Sequence, residues 1–385
     1  MMKRTIFRDE HDLFREQFHK FLEREVAPHF GEWERQGMVP REAWLKAGAA
    51  GYLCPWLPQV YGGSGTDFLY GVVQMEELAA LMATGFTLSV HNDIIAPYLW
   101  NFGTEEQKRR WLPGCASGKI VTAVAMTEPD AGSDLKAIRT TAVRDGGHYV
   151  LNGMKTFITN GIANDLVIVA AKTDPAARPA HRGITLFGVE AGTPGYVKGR
   201  KLEKIGWRSQ DTAELAFEDC RVPASNRLGQ EGEGFVMLMK QLPRERLMLS
   251  ISCVAGMWPV LEMTRAYVTE RRAFGRRVAD FQNTRMKLAE LYTVAEISRV
   301  FLDRLIGAHM GGEEINAECA MLKSFASENL KRLCDECLQL FGGYGYMEEY
   351  PIARAWRDAR LQMIYGGANE IMKEIIARAT VDGGT

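Results

Sequence analysis

Val121-Thr-Ala-Val-Ala125 is where the texture of this chain changes. After it come short runs rich in β-branched residues: His148–Leu151, Leu166–Ala171, Ile184–Val189 and Glu214–Phe217. Turn signals such as Asp145-Gly146-Gly147 and Asn152-Gly153 separate them, the pattern of short antiparallel strands. The spacing predicts a β-domain over 121–232, a small barrel or sandwich rather than a βαβ sheet. Gly229-Gln-Glu-Gly232-Glu-Gly234 has its glycines wrongly spaced for a dinucleotide loop. A dinucleotide would therefore have to bind without a Rossmann fold.

On either side the period is helical. Over 1–120, Phe7, His11, Phe14, Phe18, Phe21 and Leu22 fall near one helix face. Pro28 follows, Tyr61-Gly-Gly-Ser-Gly-Thr66 breaks the pattern, and Gly71 to Met82 is again helix-like. Over 233–385, Leu288, Leu291, Ala295, Ser298, Leu302 and Leu305 step by threes and fours, the seam of a bundle. Gly311-Gly312 ends that helix, a second runs from Glu318 to Phe341 against Gly342-Gly343, and a last one spans Asn369–Thr380. The fold class expected is α+β in three blocks: an N-terminal α-helical domain, a central β-barrel or sandwich, and a C-terminal four-helix bundle.

Composition narrows the function classes. The chain has 385 residues, 47 basic against 48 acidic, for a formal net charge of −1. No basic field for nucleic acid follows from that balance. The N-terminus reads as the start of an amphipathic helix, and no run approaches the ~20 apolar residues of a membrane span, so a cytoplasmic location is expected. Cys54, Cys115, Cys220, Cys253, Cys319, Cys334 and Cys337 are scattered. Cys334 and Cys337 lie on one helical run without further ligands, and no His cluster has metal spacing, so neither disulfides nor a metal is expected.

Five separated segments carry a resemblance. Ala125-Met-Thr-Glu-Pro-Asp-Ala-Gly-Ser-Asp134 and Asn152-Gly-Met-Lys-Thr-Phe-Ile-Thr-Asn-Gly161 lie in the β-domain. Glu270-Arg-Arg-Ala-Phe-Gly-Arg-Arg-Val-Ala-Asp-Phe-Gln282, Gln339-Leu-Phe-Gly-Gly-Tyr-Gly345 and Ile364-Tyr-Gly-Gly-Ala-Asn-Glu-Ile371 lie in the bundle. Together the chain resembles the acyl-CoA dehydrogenase family, most closely its long-chain and isovaleryl-CoA branches. The resemblance implies FAD as cofactor, an acyl-CoA substrate, electron-transferring flavoprotein as electron acceptor, and a homotetramer built as a dimer of dimers.

By that resemblance Met126 and Thr127 bond the flavin ring, and Ser133 touches the CoA portion. Gly132 lets backbone approach a planar ligand. Asp130 departs from the family's usual Gly. Phe157 stacks on the flavin and Thr159 bonds it, although a hairpin with Phe157 in the core is the alternative for that segment alone. Arg271, Phe274 and Gln282 reach the diphosphate and adenosine half of FAD across a subunit boundary, and Gln339, Gly342 and Gly343 approach the cofactor likewise from a neighbouring subunit. Solvated arginines and a helix C-cap would explain the charges and glycines without a ligand. Ala368 replaces a frequent Thr, with Asn369 and Glu370 as polar neighbours.

The implied reaction is α,β-dehydrogenation to the trans-2-enoyl-CoA, which needs a proton acceptor and a site for developing enolate charge. Well-known relatives carry the acceptor at the position that is Gly366 here. Gly366 has no carboxylate but keeps its N–H for the thioester oxygen, with Gly367 beside it on the substrate. In Gln241-Leu-Pro-Arg-Glu-Arg-Leu247, Glu245-Arg246 matches the Glu-Arg pair that supplies the base in the long-chain and isovaleryl branches. This assigns Glu245 as base and Arg246 to substrate. The competing reading places Pro243 in a first helical turn and Glu245 on the helix dipole. Asp93 either faces solvent or contacts a polar or cyclic acyl group. Rival functions are an oxidase of the same architecture, a DNA-associated superfamily member, and a scaffold without activity.

Overall fold

A computed structural model describes residues 2–83 and 85–383. Six helices come first: α1 (Asp9–Glu25), α2 (Ala27–Gln36), α3 (Arg41–Ala49), α4 (Phe68–Ala80), α5 (Ala96–Phe102) and α6 (Glu105–Ser117). Eight strands follow: β1 (Thr122–Ala125), β2 (Thr141–Asp145), β3 (His148–Thr159), β4 (Leu166–Lys172), β5 (Ile184–Glu190), β6 (Tyr196–Lys201), β7 (Thr212–Pro223) and β8 (Arg227–Leu228). Five further helices close the chain: α7 (Gly234–Glu270), α8 (Gln282–Met310), α9 (Asn316–Phe341), α10 (Pro351–Ala359) and α11 (Asn369–Thr380).

The strands form one sheet in the order β6-β7-β3-β2-β4-β5-β8, with β1 parallel to β4 and most other neighbours antiparallel. Strand β4 is apolar without alternation because both its faces are covered. Val167, Val169 and Ala171 pack inward with Leu151, Phe187 and Phe217, whereas Leu166, Ile168 and Ala170 pack on Tyr98, Leu99 and Trp111 of α5 and α6. The β-domain thus sits directly on the first helical block.

Two turn and helix assignments change in the structure. Asn152-Gly153 is not a turn but lies within β3, where the pairing with β7 slips between Leu151 and Gly153. Gly153 has φ +149°, and a Cβ there would run into Thr140. Pro243 does not open a helix either: α7 begins at Gly234 and carries Pro243 and Pro259 inside it. Nor is the chain free of a window apolar enough to span a membrane, since α7 reaches that composition. Two-thirds of that window (67%) is buried inside the protein, packed among α4, α8 and α9 as the core of the C-terminal block.

Between α4 and α5 one turn, Val90–Ile95, is a π-helix. An inserted residue of this kind re-aims the helix that follows. Three consecutive polar side chains, His91, Asn92 and Asp93, are buried there. Asn92 Oδ1 accepts from the Cys54 amide at 2.8 Å, and its Nδ2 donates to the Tyr52 carbonyl at 2.9 Å and to Gln74 Oε1 at 3.2 Å. His91 donates through Nε2 to the Cys115 carbonyl at 3.1 Å and accepts at Nδ1 from the Thr122 amide at 3.2 Å. Burial pushes the His91 imidazole down to about 4, so it stays neutral in this arrangement. Replacing Asn92 by Ala strands several buried polar groups, each costing about 1–3 kcal/mol. The expected outcome is a clearly lower thermal midpoint of the FAD-loaded protein, read by differential scanning calorimetry; an unchanged midpoint would remove this turn from the stability argument.

Candidate active site

The site is built on α7. Glu245 lies about three turns inside the helix, at 3.6 residues per turn, far from the N-terminal dipole. The capping explanation for this residue therefore fails, because macrodipole effects fade within the first turn. Its side chain is buried, and its one hydrogen-bond partner among the described residues is Tyr98 Oη, which donates to Oε1 at 2.7 Å. Burial pushes the carboxyl up to about 7, against the smaller opposing pull of Tyr98 and Arg246. That is the range of a general base working near neutral pH. Arg246 is also buried and donates through Nη1 to Asn316 Oδ1 at 2.8 Å, which fixes it on α9.

Gly366 and Gly367 both take positive φ, +63° and +95°. Their loop is held from below by Lys323, fully buried on α9, whose Nζ donates to the Gly367 carbonyl at 2.8 Å and to Asn369 Oδ1 at 3.0 Å. Asn369 is thus a scaffold residue of the loop, bonded also to Ser327 Oγ at 3.0 Å, while Glu370 is exposed and Ala368 is half-buried ahead of α11. A Cβ built on Gly366 would overlap Leu249 Cδ1. Leu249 stands one turn beyond Glu245 on the same helix, so the helix carrying Glu245 also fills the space a loop side chain would need. Leu249 and Tyr365 continue into a pocket whose walls include Met75, Phe86, Ile94 and Met248.

The two β-domain segments converge on one surface. Lys155 Nζ, fully buried, bonds Glu128 Oε1 at 2.7 Å and the Met126 carbonyl at 3.1 Å. The Thr156 amide donates to the Thr127 carbonyl at 3.0 Å. This staple lays Met126 and Thr127 beside Phe157, a residue 68% exposed with backbone φ +59°, with Thr159 half-buried two residues on. Phe157 is not a core residue, which removes the hairpin-core alternative. A Cβ on Gly132 would meet no atom within 4 Å, and Ser133 beside it is exposed. Asp130 points away to Arg139 at 2.8 Å, so its departure from Gly leaves the loop's inner face unchanged. An exposed aromatic, open space over a glycine and the hydroxyls of Thr127 and Ser133, which make no hydrogen bond among the described residues, suit a flat aromatic cofactor.

A second group sits at an exposed end of the bundle. Arg271 lies 5.6 Å from the ring centre of Tyr344, next to Gly343. Phe274 is 96% exposed, and Gln282, Gln339, Gly342 and Gly343 are exposed with it. None of these has a covering element in one copy of the chain.

Three family models match in sequence: the N-terminal, middle and C-terminal domains of acyl-CoA dehydrogenase, over residues 8–119, 123–220 and 232–381. The pig mitochondrial long-chain specific acyl-CoA dehydrogenase is 50% identical over 98% of this chain and 88% of its own length. A crystal structure of an acyl-CoA dehydrogenase from Geobacillus kaustophilus superposes with TM-score 0.96 at 52% identity, over 97% of this chain and 99% of that one. A chain in a structure described as the electron transferring flavoprotein of Acidaminococcus fermentans matches at TM-score 0.93 and 36% identity, over 99% and 100%. The chain belongs to the acyl-CoA dehydrogenase family. It is a flavoenzyme whose family reaction is the FAD-dependent dehydrogenation of an acyl-CoA.

Asp93 does not face solvent in the dehydrogenase. It is buried, and its Oδ1 is paired with Arg244 Nη2 at 3.3 Å behind α4. Burial holds its carboxyl up at about 6. Arg244 in turn lies over the rings of Trp56 and Phe68, at 5.8 and 5.5 Å. Four residues of the dehydrogenase's site lay outside the sequence-based assignments: Tyr98, Lys155, Glu128 and Lys323. Lys155 had a signal in the strand parity it shares with Leu151, which puts a charge on the inner face. Tyr98 and Lys323 had none, since each looks like an ordinary helix residue until its partner is known.

Gly366→Ala in the dehydrogenase forces a methyl against Leu249 at a φ that L-residues disfavour, at a cost of about 1–3 kcal/mol. We expect kcat/KM to fall by roughly tenfold or more, with partial recovery in Gly366→Ala/Leu249→Ala. Equal loss in single and double variants would reject the clash.

Proposed function

We propose that Glu245 removes the α-proton of the acyl-CoA thioester. The supporting observation is a buried carboxylate with one protein hydrogen bond, on the helix that also shapes the Gly366 loop. As the α-proton leaves, negative charge grows on the thioester oxygen. The Gly366 N–H is the donor this chain offers to that oxygen, and the Lys323 bond to the Gly367 carbonyl holds the loop's peptide orientation. FAD would supply, when bound, the hydride acceptor for the β-hydrogen. Met126, Thr127, Phe157 and Thr159 would hold its ring, and Ser133 the CoA side. Arg246 and Gly367 border the substrate, while Asn316 and Lys323 anchor them. Asp93 would act only indirectly, by fixing Arg244.

The acyl group is proposed to be long and apolar. The pocket walls Met75, Phe86, Ile94, Met248 and Leu249 support this, together with the similarity to a long-chain specific relative. Electron-transferring flavoprotein is the proposed acceptor; the fold match to a chain in a structure described by that name supports it. Oxygen as direct acceptor would instead require rapid reoxidation of the reduced enzyme in air. A homotetramer is proposed because Arg271, Phe274, Gln282, Gln339 and Gly342-Gly343 are exposed ligand-type residues that a neighbouring copy would bring to a cofactor; sedimentation of the loaded enzyme measures this. Seven free, buried thiols suit a reducing compartment such as the cytoplasm.

Glu245→Gln is expected to retain FAD and lose α-proton exchange and turnover by about 10³-fold, within the range of general base catalysis. The base must be ionised to act, so in the unaltered enzyme kcat/KM should rise with pH and level off above about 7, the value to which burial raises this carboxyl. Retained exchange in the variant would overturn the assignment.

A further inference from the structure

The mechanism leaves one buried group beside the base unexplained. Tyr98 is fully buried on α5, with its hydroxyl 2.7 Å from Glu245 Oε1. The phenol makes no other hydrogen bond among the described residues, and burial holds its pKa well above the ordinary value, so it remains a donor at working pH. Its placement is over-determined. The π-helical turn Val90–Ile95 re-aims α5, and that turn is pinned by His91 to Thr122 and Cys115 and by Asn92 to Cys54, Tyr52 and Gln74. The Trp56 indole also donates to the Asn92 carbonyl at 2.8 Å. On its other side Tyr98 packs with Leu99, Leu166 and Ile168, against β4. An irregular turn with three buried polar residues thus helps set the position of this hydroxyl.

We propose that Tyr98 is a positioning residue for the proton acceptor: its O–H fixes one carboxylate oxygen of Glu245 and leaves the other aimed at the substrate α-carbon. This rests on Glu245 being the base. A carboxylate on a flexible two-carbon stem has several rotamers, and a single fixed donor selects among them before substrate arrives. The same hydrogen bond favours the ionised form, which is the form that accepts a proton. The other charged groups near this turn are accounted for. Arg246 faces α9, where it donates to Asn316 and lies near Cys319, and Asp93 of the π-turn is paired with Arg244.

The test uses the FAD-loaded enzyme and a saturated straight-chain acyl-CoA such as palmitoyl-CoA, measuring kcat/KM from pH 5.5 to 9. Tyr98→Phe keeps the ring and its packing and removes only the donor. The acid limb should move upward by about one pH unit, from loss of a hydrogen bond to a charged group. The rate loss should accordingly be largest below the limb and smallest above it. A purely structural role would lower the rate or the FAD content evenly across pH, leaving the limb in place. In case Tyr98→Phe does not hold FAD, 3-fluorotyrosine placed at position 98 keeps the fold and donates a stronger hydrogen bond, so its limb should move down instead. Limbs that superimpose on the unaltered enzyme in whichever variant folds overturn the proposal. Glu245→Gln is measured in parallel on α-proton exchange: retained exchange there rejects Glu245 as base, whereas lost exchange with unmoved limbs rejects Tyr98 alone.

Discussion

The structure depends on one constraint: a 37-residue helix, apolar through most of its length, that carries a carboxylate in its buried part. Helix α7 packs with α4 and with α8 and α9 in a single core, and α4 brings Leu69, Val72 and Met75 into it from the first block. Each fully buried side chain of that size contributes about 1.5–3 kcal/mol, so the burial of Glu245 is set by everything around it. An isolated carboxylate in such surroundings either becomes neutral or finds a donor. Here it has one donor and a pKa near 7. The cost of burying the group and its raised pKa have the same origin.

Position 366 follows from the same helix. With Leu249 occupying the space beside it, a side chain at 366 and the present packing of α7 exclude one another. The loop then does what a glycine can do at positive φ, offering an N–H held in place from beneath by Lys323 and Asn369. The buried carboxylate and the loop N–H lie on two different segments, 121 positions apart in the chain and adjacent through Leu249.

In the β-domain the corresponding device is the Lys155–Glu128 pair. A buried ion pair is weak evidence of net stability, because desolvation offsets most of the attraction. Its geometric effect is clear, however. It joins two motifs that are separate in sequence and turns Phe157 outward beside Thr127. Removing either partner would leave a buried charge, which explains why a lysine is tolerated on the inner face of a strand.

The sequence alone determined the three-block order, the bundle helices α8, α9 and α11, and the family to which the chain belongs. Those features are written in local periodicity and contiguous motifs. The choice of Glu245 over a helix cap was open in the sequence, since Pro243 reads equally well as a first-turn residue. The cap reading was removed by α7 beginning at Gly234, which depends on packing and not on local preference. The same is true of Asn152-Gly153, a favoured turn pair that β7 and Thr140 draw into a strand. Asp93, Tyr98 and Lys323 could not be placed by any pattern. Each is defined by a partner remote in the chain, Arg244, Glu245 and Gly367, and long-range pairing of buried polar groups leaves no local periodicity to read.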